Sequence, residues 1–185
     1  MIEYIVKLLS KISPEAATII VAALPITELR GSIPLAVLHY EFGWVKAVSL
    51  SVFGNMLPIP FWLLFLNYVQ GKLMRFTILN KFFTWLFERT RKKGQMIEKY
   101  ETLGLMIFVG IPLPMTGAWS GAIAAFIFGV KFRHAMVAIF LGVLVAAAIV
   151  AALTLLGWIG AIIAGIALFG LAVVTVMEVF KHEKQ

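Results

Sequence analysis

Glu28 and Arg30 stand two residues apart inside an apolar stretch, Ala22–Leu35, between Pro25 and Pro34. A carboxylate or guanidinium at membrane depth costs at least ~2.5–3.5 kcal/mol on insertion scales, so such residues mark candidate functional sites. Arg30 offers a fork of donors suited to oxyanions. Glu28, desolvated near the midplane, is the candidate for exchanging a proton with a cavity. Thr27 and Ser32 beside them, and Thr116 and Ser120 in a second stretch, are candidate neutral hydrogen-bonding groups. Pro25, Gly31 and Pro34 disfavour a straight helix through the first stretch, which predicts a break at Pro25–Ser32. The alternative is a single kinked span in which Glu28 and Arg30 form a structural ion pair.

The composition requires a membrane for these groups. Of 185 residues, 62% are hydrophobic and 14% charged, too few charges for an ordinary soluble surface. Mean hydropathy is +0.98. The chain has no cysteine, which excludes disulfides and thiol chemistry, and its nine acidic residues are all glutamate. Neither a cofactor nor a metal cluster is expected. A net charge of +7 fits positive-inside loops and anionic lipid better than nucleic acid.

Residues 2–12 read as an amphipathic interfacial helix, and Ser13-Pro14-Glu15 as an N-cap that restarts it. Ala16–Thr27 and Gly31–Tyr40 are uncharged runs of twelve and ten residues, each too short to cross alone. They predict a re-entrant hairpin. Residues 47–69 are 23 uncharged positions, a span with a kink at Gly54-Asn55 and Pro58-Ile59-Pro60. Asn55 is either an accessory site group or a helix–helix hydrogen-bonding residue.

Residues 70–101 carry eight basic and three acidic residues, an interfacial helix ending in Arg89-Thr90-Arg91-Lys92-Lys93 that the positive-inside rule places in the cytoplasm. Residues 102–130 are uncharged and broken at Ile111–Gly117, where Pro112, Pro114 and Gly117 are the breaking residues. Residues 135–177 are 43 uncharged positions, enough for two spans turning near Leu156–Gly160, with the C-terminal tail cytoplasmic. Gly142/Ala146 and Gly157/Ala161/Gly165 are small-residue faces, suited either to dimerisation or to packing within one subunit.

The two broken stretches parallel each other at an offset of about 86–87 residues, from Pro25 to Phe42-Gly43 and from Pro112 to Phe128-Gly129. The expected architecture is an all-α integral membrane protein of one domain with two inverted repeats. Each repeat is a re-entrant broken-helix hairpin plus a transmembrane helix (1–69 and 101–153). The basic interfacial segment 70–100 and an additional C-terminal span, 154–180, complete the chain. The site is expected where the two breaks meet.

At Pro25-Ile-Thr-Glu28-Leu-Arg30-Gly31-Ser-Ile-Pro34-Leu-Ala36 and Ile111-Pro112-Leu-Pro114-Met-Thr116-Gly117-Ala-Trp119-Ser120-Gly121, the chain resembles the small multidrug export protein family. More distantly it resembles the DedA/VTT superfamily, built from paired, oppositely oriented re-entrant hairpins; some members carry polyprenyl phosphate or other lipids across the bilayer. The resemblance implies a transporter, not an enzyme, in the cell membrane. Its cargo would be an amphiphilic anion such as an isoprenoid lipid phosphate, moved with a coupling proton. The second DedA hairpin usually carries arginine near its proline break, whereas Pro114-Met115-Thr116 stands here, a departure that weakens the case for phosphate.

Three other readings remain open. One is an exporter of small cations or drugs, held by Glu28 with Trp44, Trp62 and Trp119 nearby. Another is an uncoupled scramblase or scaffold. A lipid-phosphate hydrolase would rest on His39 and His134, which lack any nucleophile–base spacing.

Overall fold

A computed structural model describes residues 12–73, 95–113 and 116–157, and in these it is all helical. The N-terminal amphipathic stretch, most of the basic segment, Pro114, Ala161, Gly165 and all but the first four residues of the last expected span (154–180) lie outside the described residues. The helices are α1 (Pro14–Ala23), α2 (Glu28–Pro34), α3 (Trp44–Met56), α4 (Ile59–Leu73), α5 (Gln95–Gly110), α6 (Ala118–Phe128) and α7 (Phe132–Leu155).

Local chemistry explains where these helices start and stop. Ser13 caps α1 by accepting from the Ala16 N–H at 3.2 Å, with Pro14 in the first turn. Pro25 then ends it. The residue before a proline is pushed out of the helical region, and Leu24 is extended at φ −74°, ψ 136°.

The helix restarts at Glu28, earlier than the break expected over Pro25–Ser32. Gly31 and Pro34 are therefore helical and do not form the break. Pro34 has no N–H to offer, and the chain widens into a π-helical turn over Leu35–His39, where the Tyr40 N–H reaches the Leu35 carbonyl at 3.1 Å. The kink in the next span falls at Leu57-Pro58, between α3 and α4. There Pro58 and Pro60 each remove a ladder donor. Helix α5 begins at Gln95, inside the segment expected to be basic and interfacial, so Glu98, Lys99 and Glu101 belong to its first turns.

Among the described residues, two stretches are long and apolar enough to cross a membrane: Trp44–Leu66 (23 residues, mean hydropathy 1.6) and Phe132–Leu155 (24 residues, 2.9). At 1.5 Å per residue the second is about 36 Å long, more than a bilayer's hydrocarbon thickness. Its side-chain distribution fits lipid. Ala135, Ala138, Gly142, Ala146 and Ala147 face inward with Ile139, Val143 and Val150, while Val137, Phe140, Leu141 and Leu144 are exposed. An outer face of large apolar side chains suits lipid. In lipid, small residues pack inside because they let backbones approach closely.

Helix α5 lies along α7, and α1 along α3. Helix α2 touches α1, α3 and α7. Gly142 and Ala146 are thus used within the subunit. A Cβ on Gly142 would stand 2.7 Å from the Met106 carbonyl oxygen on α5, and one on Gly54 would stand 2.5 Å from that of Ile19 on α1. Leu156 and Gly157 (φ +57°) close α7 where a turn was expected.

Glycine substitutions test this packing. Gly54→Ala and Gly142→Ala should each lower stability by about 1–3 kcal/mol. Gly104→Ala, with open space beside it, should raise it by up to about 1 kcal/mol. Thermal unfolding in detergent measures all three.

At one end of α1 and α3, Lys46 Nζ meets Glu15 Oε1 at 2.6 Å and sits 4.0 Å above the Phe42 ring. This hydrogen bond from Lys46 holds the Glu15 carboxyl below its ordinary 4.5. A lowered carboxylate contributes stability at pH above its ordinary value and loses that contribution as pH falls through the lowered one. Lys46→Met should move the Glu15 titration, followed by carbon-13 NMR, back up toward the ordinary value.

Candidate functional site

The break between α1 and α2 and the break between α5 and α6 meet, and side chains cross between them in both directions. Glu28 opens α2 with a left-handed backbone (φ 43°) and is buried, 7% exposed. Such a conformation in a non-glycine residue costs on the order of 1–3 kcal/mol and is held by its surroundings. Here those surroundings are the start of α6: Glu28 Oε1 accepts from the Trp119 N–H at 3.4 Å. The first N–H groups of a helix have no partners within it, and they carry the positive end of its dipole. Gly117 makes room for the carboxylate. Its φ of +143° disfavours any side chain, and a Cβ there would overlap the Glu28 carboxylate.

Arg30, half-buried and half a turn further along α2, donates from Nη2 to the Thr116 carbonyl. In the other direction, Trp119 Nε1 donates to the Ala23 carbonyl at 3.1 Å, a group left unpaired where Pro25 stops α1. Glu28 and Arg30 therefore do not pair with each other, as the ion-pair alternative requires. Each is matched by backbone of the opposite break.

The candidate hydroxyls are mostly engaged locally. Thr27 Oγ1 donates to the Val21 carbonyl at 2.5 Å, and Ser120 Oγ to Gly117 at 3.3 Å. Thr116 Oγ1 donates to Ile111 at 2.5 Å or Leu113 at 2.8 Å and accepts from the Leu113 N–H at 3.0 Å, holding the second break in shape. Ser32 differs: it is fully buried and its Oγ has no partner.

Glu28, Arg30, Asn55, Pro112 and Gly117 line a cleft whose remaining wall is apolar (Val109, Val143, Val150). Its volume is about 10 Å³, close to the room that one water needs. Asn55 is 1% exposed and its Oδ1 has no partner. A buried polar atom left so costs about 1–3 kcal/mol. Beside the cleft the Trp62 ring lies 5.2 Å from Trp119 and stacks on Phe65 at 5.4 Å, and its Nε1 is also unpartnered. Trp44 packs on the core and is not part of this aromatic group. His39 and His134 are both exposed, and neither lines the cleft.

Three features were not anticipated from sequence: the Ala23 carbonyl, Gly117 as a seat for Glu28, and buried Ser51. The first two follow from helix ends, whose free backbone groups are predictable once a break is placed. Ser51 is four residues before Asn55 and so shares its face of α3.

A family model covers residues 28–149, about two thirds of the chain, from the start of α2 through the second break and into α7. The chain belongs to the small multi-drug export protein family. No curated protein and no solved structure matches it. Membership together with the two long apolar helices assigns the protein to the membrane, with an export or transport role.

Gly117→Ala should push Glu28 off the start of α6, lowering stability by about 1–3 kcal/mol. Glu28→Gln keeps an acceptor and removes only the charge, so it should lose less, about 0.3–1 kcal/mol. Thermal midpoints of the two variants in detergent test this order.

Proposed function

We propose that the protein is a secondary exporter of small amphiphilic molecules, organic cations foremost, working by separation of the two breaks. The observation that carries this is the reciprocal bracing of Glu28, Arg30 and Trp119 across them. These polar cross-links are individually modest, so opening them is feasible. The cleft admits only about one water, so in this reading it opens to take cargo. In the open state Glu28 provides the charge that a cation seeks, and Trp62, Trp119 and Phe65 provide aromatic faces.

In this reading α1–α2 and α5–α6 are re-entrant hairpins of two inverted repeats. Two parallels support it. Each second short helix begins at a positive φ, Glu28 at 43° and Gly117 at 143°. Each long helix is preceded by a turn with another, Glu41 at 54° and Gly129 at 69°. The basic segment and the tail would face the cytoplasm. A second reading, a lipid-phosphate carrier, is favoured by Arg30 beside the N–H groups of α6, a setting suited to an anion.

Transport into proteoliposomes separates the two, using a fluorescent lipophilic cation and an isoprenoid lipid phosphate as probes. Cation movement that falls about 10- to 100-fold in Glu28→Gln supports the cation exporter. Lipid-phosphate movement that depends on Arg30 supports the second reading. If the wild type moves neither, export by this site is wrong.

A further inference from the structure

Among the described residues, the buried polar or charged ones are Thr18, Glu28, Ser32, Ser51 and Asn55, and all belong to α1–α3. Helices α5, α6 and α7 contribute alanine, glycine and aliphatic residues to the buried interior. The polar groups are in register. Ser32 is one turn beyond Glu28 on α2, and Ser51 is one turn before Asn55 on α3. Glu28 and Asn55 line one cleft, and α2 packs on α3. From that level α2 runs on toward His39, and α3 runs back toward Trp44, so both lead to the end of the molecule where Lys46 meets Glu15.

Along this line Asn55 Oδ1, Ser51 Oγ and Ser32 Oγ are all without a partner. A helical serine can satisfy itself by bonding back to the carbonyl four residues earlier, as Thr18 does to Pro14 at 2.8 Å. Ser32 and Ser51 do not, and three successive orphaned polar atoms mark a place for small polar guests. The cleft at the inner end has room for about one water.

We propose that a hydrated seam inside α1–α3, lined by Asn55, Ser51 and Ser32, connects Glu28 with the side of the membrane bearing Glu15 and Lys46, and delivers the coupling proton. The seam deepens the export reading and rests on it for the word coupling. A proton suits the site better than a metal cation. In the closed cleft the charged neighbour of Glu28 is Arg30, so among the described residues no second carboxylate stands there to ligate a metal ion. Among the described residues, α3 contributes only Asn55 to the cleft lining, and α5 and α7 only Val109, Val143, Ala146 and Val150. A metal ion would need several more oxygen ligands, whereas a proton needs only the carboxylate.

The chain contains no cysteine, so Ser32→Cys and Ser51→Cys can be probed singly in full-length protein reconstituted in vesicles. The reagent is silver ion, about the size of water, supplied on one side; residual thiol is then counted after denaturation. Lys46→Cys marks the side, and Ala122→Cys, buried on α6, is the dry control. Both serine positions should react at least ~10-fold faster than the control from the Lys46 side, since a dry site reacts only through local opening. Reaction no faster than Ala122→Cys, or only from the opposite side, overturns the seam.

A second measurement, made at a pH low enough to protonate Glu28, follows proton–deuteron exchange of its carboxyl by infrared spectroscopy, its band identified by difference from Glu28→Gln. Ser51→Val should slow this exchange by about 10-fold, and an unchanged rate also overturns the seam. Labelling needs no cargo. A chain that labels as expected but exports nothing keeps the seam and loses the export reading, and the converse result removes the seam alone.

Discussion

Placing ionised side chains in an apolar helical body requires partners that the body does not ordinarily provide. In a continuous helix every backbone group within the span is already paired. The two breaks change this. By stopping α1, Pro25 frees the Ala23 carbonyl; the second break exposes the Thr116 carbonyl and the first N–H groups of α6. These are the groups that meet Trp119, Arg30 and Glu28. Each break thus carries side chains in need of partners and supplies partners to the other. The positive φ at Glu28, the bare Cα of Gly117 and the turn held by Thr116 are all conditions for that exchange.

The rest of the molecule divides into two kinds of interior. Between α5, α6 and α7 contact is close and apolar, enforced by Gly142 against the Met106 carbonyl and Gly121 against Val109. Between α1, α2 and α3 the helices are also close, with Gly54 against Ile19, but the packing includes hydroxyls and an amide. An apolar half beside a polar one gives the cleft at their junction one wall that can hydrogen-bond and one that cannot.

Much of this was legible in the sequence, for identifiable reasons. Charge at membrane depth is rare enough that Glu28 and Arg30 stood out at once, and Ser13-Pro14-Glu15 reads as a helix start in any context. The meeting of the two breaks followed from their shared pattern of a short apolar run, proline and glycine. Other points were set by tertiary contacts that no local pattern encodes. Gly31 and Pro34 look like breakers, yet α2 runs through both because α1, α3 and α7 pack around it and a wide turn absorbs the proline. Glu28 and Arg30, two residues apart, look like a pair; on a helix that spacing points them to different sides, and each found backbone instead. Serine is common in helices and carries little signal alone, so Ser51 became visible only when its burial and its lack of a partner were known.

The wide turn over Leu35–His39 bears on how such a chain can change over time. A π-helical turn holds one residue more than the α-helical turn it replaces. The surplus residue sits between Glu28 and the loop into α3, downstream of the polar face and upstream of Lys46. Losing one residue there would tighten the turn to ordinary α geometry, while α2 ahead of it keeps its orientation against α7. The loop could therefore lengthen or shorten by a residue across descendants of this sequence with the buried carboxylate left in place. Pro34, which looks like a defect in a helix, acts as the slack in the tether.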